Sequence, residues 1–316
     1  MGAFFEGTTI ESTAGVISRG GSAAACFLRA QLIVRGTEPV GKKDELVGKE
    51  STSSGKHLAA VVLAAGLGTR MDGDRQKALV PLGGKPMLLR VLEAVRGAGI
   101  DHICVVVGHE ADKVIEALPD GCRWVEQPVQ GGTAHALSCC EAQLGNLSAT
   151  LVVLYCDNPF ITGSQIKSLV RKHLGAGAAA TVLTVALSDP GRFGRIVRDD
   201  KGNVVAIVEA SQATEQQLEI KEVNTGVYCF ESPLIFSVLP RIAPKGAKGE
   251  RYLTDAVELL ISNSHKVVAA KTRITSAAIG VNTREELEAA ERELARQRRR
   301  MGRGPAAAKG ESPGES

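Results

Sequence analysis

The chain has 316 residues, 44% of them hydrophobic and 23% charged, with a net charge of +3. That is enough to bury a large α/β core, and the positive excess gathers in the late run Arg296, Arg298, Arg299, Arg300 and Arg303, which excludes a nucleic-acid footprint spread over a folded face. Aromatic residues at 3% leave no stacking platform for single strands, and no run approaches the roughly 18 apolar residues of a membrane span. Residues 1–55 are rich in Gly, Ser and Thr without a sustained period and read as a disordered extension; they lack the basic start and apolar middle of a secretory signal.

From residue 56 the pattern alternates. Leu58–Leu63 reads as a buried strand, Lys85–Ala98 as a helix, Ile103–Val107 as a strand and Lys113–Leu118 as a short helix. Trp124–Glu126 follows as a strand, Thr133–Leu144 as a helix, Thr150–Tyr155 as a strand, Ser164–Leu174 as a helix and Thr181–Leu187 as a strand. The apolar runs are short and nearly continuous, as in strands buried on both faces, so the expected fold is a Rossmann-like α/β domain with a mainly parallel sheet between two layers of helices. Ile196–Arg198, Val204–Val208 and Val223–Phe230 read as a small antiparallel insertion appended to that sheet. Thr283 caps a last helix, with Glu285 and Glu286 in its first turn and arginines in its last. The expected domain spans 56–283, the terminal helix 284–301, and 302–316 form a disordered tail. Seven cysteines, none in a C-x-x-C pair, lie mostly in apolar runs and read as reduced core residues of a cytoplasmic protein.

The first strand runs into Ala64-Ala65-Gly66-Leu67-Gly68-Thr69-Arg70-Met71. Small residues and two glycines at the carboxyl end of a buried strand let backbone N–H groups approach an anion. The loop is neither a Walker A nor a G-x-G-x-x-G element. Together with Leu63 before it and Lys77 after it, this segment resembles the signature loop of the sugar-nucleotide pyrophosphorylases. The resemblance implies that Leu63, Ala64, Ala65, Gly66, Gly68 and Thr69 wrap the nucleotide phosphates while Arg70 and Lys77 neutralise them. Lys77 as a plain solvated lysine is the competing reading.

Later segments extend the likeness to about residues 58–300. Gln127-Pro128-Val129-Gln130-Gly131-Gly132-Thr133-Ala134-His135-Ala136 is similar to the base-reading element, which implies that Gln127 meets uracil and that Gly132 and Thr133 close on the nucleotide. Thr133 as a helix cap and His135 as a packed or capping residue are the structural readings beside it. Tyr155-Cys156-Asp157-Asn158 ends a strand and resembles the catalytic metal-ligand segment, with Cys156 where the family usually has Gly, a side chain that could crowd the nucleotide or alter the loop. Gly194, Glu209 and Asn224 with Tyr155 resemble the sugar subsite. After Glu209 this chain has Ala210-Ser211-Gln212, where the family often carries a basic and an acidic residue. Gly249-Glu250-Arg251-Tyr252-Leu253-Thr254-Asp255 resembles a segment typical of the N-acetylglucosamine branch, with a helix start as its structural reading. Val281-Asn282-Thr283 resembles the segment whose Asn is the family's second Mg²⁺ ligand, with a cap on the following helix as the structural reading of Asn282.

The set resembles the uridyltransferase domain of the bifunctional N-acetylglucosamine-1-phosphate uridyltransferase/glucosamine-1-phosphate acetyltransferases. It implies an Mg²⁺-dependent transferase with UTP and N-acetylglucosamine 1-phosphate as substrates and UDP-N-acetylglucosamine, a peptidoglycan and cell-wall precursor, as product. Asp157 and Asn282 would be the metal ligands. There is no hexapeptide series of the kind that builds the acetyltransferase β-helix, so acetyl transfer and coenzyme A are not expected. That β-helix organises the family's trimer, which leaves a homo-oligomer open. The alternatives are a sister enzyme for another nucleotide or sugar, and a nucleotide-sugar-binding module without activity.

Overall fold

The computed structural model describes residues 57–66, 76–245 and 248–302, with side chains to residue 300. The expected extension at 1–55, the tail at 303–316, and Gly68, Thr69 and Arg70 lie outside the described residues. In chain order the elements are β1 His57–Leu63, β2 Pro81–Leu82, β3 Lys85–Pro86, α1 Met87–Gly97, β4 His102–Val107, α2 Ala111–Glu116, β5 Cys122–Glu126, α3 Thr133–Ser138 and α4 Glu141–Leu144. They continue with β6 Ala149–Tyr155, α5 Gly163–Ala176, β7 Ala180–Ala186, β8 Arg195–Arg198, β9 Val204–Val208, α6 Glu215–Leu218, β10 Glu222–Glu231, α7 Ser232–Val238, α8 Leu253–Ser262, β11 Val267–Thr272 and α9 Arg284–Gly302.

Among the described residues, nine strands share one sheet whose main order is β11-β7-β10-β6-β1-β4-β5. β1 pairs in parallel with both β4 and β6, and its side chains alternate between two apolar clusters: Ala59, Val61 and Leu63 on one face, Ala60 and Val62 on the other. α3, α4, α7 and α8 cover the first face; α1, α2 and α5 cover the second. Two covered faces are why the parallel strands carry near-continuous apolar runs. The Rossmann-like α/β expectation, mainly parallel with helices on both sides, describes the molecule.

Four details differ from the sequence reading. Lys85 and Pro86 belong to the β2–β3 hairpin, and the helix starts at Met87, because Pro86 takes an extended conformation ahead of the first turn. The run Thr133–Leu144 is two helices: Cys140 N–H bonds Leu137 O three residues back, a tighter turn that closes α3 before α4 begins. β10 is no appendage. It lies inside the sheet, antiparallel to both β6 and β7, and only β8 and β9 hang off it. Finally α7, with Pro233 in its first turn, and β11 on the sheet edge went unread, being short and without a distinct period.

β10 also carries a register shift between Asn224 and Tyr228, where Gly226 takes φ +79°. A bulge re-aims the side chains around it, and here the Asn224 side chain bonds Tyr228 OH and the Gly226 N–H while Thr225 Oγ1 donates to Leu183 O of β7. α9 starts as expected: Thr283 Oγ1 accepts the Glu286 N–H at 3.3 Å.

Candidate active site

β1 delivers residues 63–66 to the carboxyl edge of the sheet, where open α/β sheets bind ligands. Neighbouring glutamines fix the turn through its carbonyls. Buried Gln76 donates from Nε2 to Ala64 O at 3.0 Å, and Gln130 donates to Ala65 O at 2.7 Å. With Ala64 and Ala65 oxygens held this way, Gly66 is left exposed at the tip. Gln76 has a second task. Its Oε1 accepts the Ala78 N–H at 2.6 Å and so caps the short 3-10 turn Lys77–Leu79 that presents Lys77.

Lys77 Nζ donates to Asp157 Oδ2 and, at 2.7 Å, to Asn282 Oδ1. The lysine and aspartate side chains are 13% and 19% exposed, so this is a largely desolvated cluster rather than a surface pair, and the solvated-lysine reading fails. Asp157 follows β6. Asn282 is brought to it by the Val281 N–H bonding Asp157 O at 3.1 Å, and its own N–H bonds Glu286 Oε2 at 2.6 Å. Thr283, not Asn282, caps α9, which leaves the Asn282 amide oxygen to face a cation. A carboxylate and an amide oxygen converging on one positive charge are the hard donors that suit Mg²⁺, so the donor chemistry of Asp157 and Asn282 fits that ion.

Beside this cluster opens a cleft of ≈ 350 Å³. Each sugar-site residue named from the sequence lines it: Tyr155, Gly194, Glu209 and Asn224. Asn224 is nine-tenths buried and fully oriented. It donates to Tyr228 OH at 2.7 Å, its Oδ1 accepts the Gly226 N–H at 2.9 Å, and its backbone N–H bonds Gly194 O at 2.9 Å. A Cβ on Gly194 would sit 3.1 Å from Ile207, a tight contact, and 3.6 Å from both Glu209 oxygens, an ordinary one. Burial pushes the Glu209 carboxyl above the usual carboxylate range, partly offset by a hydrogen bond from Thr254. Burial also raises the Tyr155 phenol, which bonds Thr133 and Tyr228. Both groups present hydrogen-bonding oxygens suited to hydroxyl and amide groups of a ligand.

The element at 127–136 differs from expectation in two respects. Gly132 takes φ +88°, and a Cβ there would lie 2.4 Å from Arg251 O. The close approach that needs glycine is therefore to the backbone of residue 251. Arg251 N–H bonds Gly131 O at 2.8 Å, and Ala134 N–H bonds Arg251 O at 2.9 Å. Thr133 does not cap its own helix; Gly132 holds that position, and Thr133 Oγ1 accepts the Leu253 N–H at 2.9 Å, at the start of α8. The two sequence elements, 127–136 and 249–255, are thus one structural unit. Buried Gln127 donates through Nε2 to Gly132 O at 3.1 Å and to His135 Nδ1 at 2.9 Å. His135 is packed as expected, and burial, with Arg251 nearby, pushes its imidazole below the usual histidine range. Both amide hydrogens of Gln127 are engaged, leaving its Oε1 as the atom to meet an N–H of a base.

Cys156 does not crowd the cleft. It is 5% exposed within the apolar cluster shared with α1 and α5, and burial pushes its thiol up to about 12. The cysteines at 104, 122, 140, 156 and 229 are free. Among the described residues no helix is long and apolar enough to cross a membrane. Sequence reading missed Arg192, Tyr228 and Glu286 in the cleft lining. Tyr228 was legible only as part of a strand, and Glu286 only as a first-turn acid.

The profile of the MobA-like NTP transferase domain matches residues 60–298. The chain is 42% identical over 232 residues to the bifunctional protein GlmU of Bacillus mycoides (strain KBAB4), a match covering 73% of this chain and 50% of that protein. It is 42% identical over 233 residues to the bifunctional protein GlmU of Geobacillus thermodenitrificans (strain NG80-2), covering 74% and 51%. The chain thus spans about half the length of the curated relatives it matches. Among solved structures, a Bacillus anthracis protein provisionally assigned as a glucose-1-phosphate thymidylyltransferase, crystallised with sucrose, superposes with a TM-score of 0.63 at 25% identity, covering 76% of this chain and 95% of that one. A glycine- and alanine-rich turn at the end of β1, the meeting of Lys77, Asp157 and Asn282 just past β6, and a family profile over residues 60–298 make this chain a member of the MobA-like NTP transferase domain family.

Proposed function

We propose that this nucleotidyltransferase carries UMP from UTP to N-acetylglucosamine 1-phosphate, releasing pyrophosphate and forming UDP-N-acetylglucosamine. The observation that carries the reading is the meeting of Lys77, Asp157 and Asn282 at the edge of a cleft lined by Glu209, Asn224 and Gly194. That arrangement supports a nucleotide and a sugar phosphate bound side by side across the carboxyl ends of β1 and β6. The similarity to the GlmU proteins supports the uridine and N-acetylglucosamine assignment.

In this reading residues 63–66 hold the nucleotide phosphates through the backbone, and the same phosphates are the proposed ligands of Gly68, Thr69 and Arg70. Gln127 presents Oε1 to the uracil N3–H, while Gly132 and Thr133 fix the wall behind the base. Tyr155, Gly194, Glu209 and Asn224 orient the sugar. Asp157 and Asn282 would hold Mg²⁺, which supplies charge neutralisation on the phosphates of both substrates. Lys77, released from these two residues, turns its ammonium to the triphosphate. A phosphate oxygen of the sugar 1-phosphate attacks the α-phosphorus, the bond to the bridging oxygen breaks, and pyrophosphate leaves with that oxygen. The nucleophile is already anionic, so neither a general base nor a covalent enzyme intermediate is required; positioning and neutralisation do the catalysis.

The likeness to the provisionally assigned thymidylyltransferase favours a second reading, in which dTTP and glucose 1-phosphate take the same two places. Pyrophosphate release should be measured with UTP, dTTP, CTP and GTP against N-acetylglucosamine 1-phosphate and glucose 1-phosphate. Release confined to UTP with the N-acetylated sugar is the expected result. Release with dTTP and glucose 1-phosphate would move the specificity to the second reading. Folded protein that releases none with any pair would reduce the site to a nucleotide-sugar-binding module.

A further inference from the structure

We propose that Arg192 is a further binding residue of this site: it takes the phosphate of the sugar 1-phosphate, and Glu286 holds it aside until that phosphate arrives. The proposal rests on the sugar-1-phosphate reading above. Three carboxylates line the cleft, those of Asp157, Glu209 and Glu286, and Arg192 is the one lysine or arginine among the described residues that do so. Lys77 stands at the edge, bonded to Asp157 and Asn282. The chain after Glu209 continues Ala210-Ser211-Gln212, which offers no cation. A sugar 1-phosphate carries nearly two negative charges, and three carboxylates repel it unless a positive group meets the phosphate.

The loop between β7 and β8 is built to present that group. Arg195 is 3% exposed, and its guanidinium bonds the carbonyls of Phe193 and, at 2.9 Å, Gly191, the residues on either side of Arg192. The backbone at 192 is therefore clamped from beneath while its own side chain is 55% exposed and can swing. The Arg192 guanidinium donates to Glu286 Oε1, and the other oxygen of that carboxylate accepts the Asn282 N–H at 2.6 Å. One carboxylate thus separates Arg192 from Asn282, on the side of the cleft where the sugar phosphate must lie to reach the nucleotide. Exposed ion pairs are weak. A phosphate offers the planar guanidinium two parallel, charge-assisted bonds, so the exchange of Glu286 for phosphate is favourable. Glu286 stays on Asn282 afterwards and keeps that residue in place.

Steady-state kinetics of the full chain test this. Arg192→Ala should raise KM for the sugar 1-phosphate roughly 10- to 100-fold, the worth of one charge-assisted bond, with KM for the nucleotide unchanged. Arg192→Lys should recover part of the loss. Glu286→Gln keeps an oxygen for the Asn282 N–H but removes the charge that competes for Arg192; it should lower KM for the sugar 1-phosphate about 2- to 5-fold. If the parent protein turns over and Arg192→Ala leaves that KM within about twofold, the proposal falls and the functional reading stands. A Glu286→Gln protein with a raised KM overturns the idea that Glu286 competes. If the parent releases no pyrophosphate with any pair, the functional reading fails and this proposal with it.

Discussion

Gly132→Ala separates two accounts of why glycine stands where the 127–136 and 249–255 elements meet. The residue has φ +88°, and an added methyl would lie 2.4 Å from Arg251 O and 2.7 Å from Arg251 N, against the 3.0 Å that real Cβ contacts respect. An L-residue at positive φ costs about 1–2 kcal/mol. The clash is with backbone, so the 251 segment must retreat by at least half an ångström, which breaks or stretches its bonds to Gly131 O and from Ala134 N–H. Two such bonds contribute about 1 kcal/mol each. The expected loss is on the order of 3 kcal/mol, a large share of the 5–15 kcal/mol typical of a domain. Urea unfolding without substrates measures it, as a lower midpoint at unchanged slope. The Arg251 shift should also pull Leu253 from Thr133 and raise KM for the sugar 1-phosphate. A variant within about 0.5 kcal/mol of the parent, with only the nucleotide KM raised, would refute the argument and return Gly132 to a purely nucleotide-facing role.

Other outcomes follow from the same contacts. Lys77→Ala should cut turnover about 10²- to 10³-fold, the usual cost of removing one preorganised charge from a transition state; full turnover in steady-state assays would contradict its role. Thr133→Val removes the hydroxyl that accepts the Leu253 N–H at the start of α8, and should cost about 1–2 kcal/mol in urea unfolding. Burial raises the Glu209 carboxyl above its usual range, so folding favours the protonated form. The resulting penalty is absent below the unfolded pKa and grows as pH rises through the raised folded value. Glu209→Gln should therefore raise Tm at pH 7, with the gain shrinking as pH falls through the carboxylate range, while weakening sugar 1-phosphate binding; a Tm gain that does not depend on pH would rule out desolvation of the carboxylate as its cause.

Much was readable along the chain because it depends on neighbours in sequence. Alternating short apolar runs and helical spacings dictated a mainly parallel sheet with two covered faces, since a strand buried on both sides carries few polar side chains, and those it has, such as Thr150 and Thr181, must be hydrogen-bonded. The turn after Leu63, the acid at the end of β6, and the Thr283 cap with Glu286 one turn later are local chemistry and were legible as such. Strand order is not local. Nothing within Val223–Phe230 tells that this strand enters the sheet between β6 and β7, because its apolar pattern is satisfied equally at an edge or at the centre. The site depends on that order. Lys77 meets an aspartate 80 residues away and an asparagine 205 residues away, brought together by the sheet and by the Val281–Asp157 backbone bond. Gly132 looked like a residue kept small for a base and proved to be kept small for Arg251. Glu286 read as a helix-start acid and Arg192 was not singled out, and only packing placed them together in one cleft. Periodicity records which face of an element is buried; which side chains from distant elements share a point in space is decided by the crossings between them.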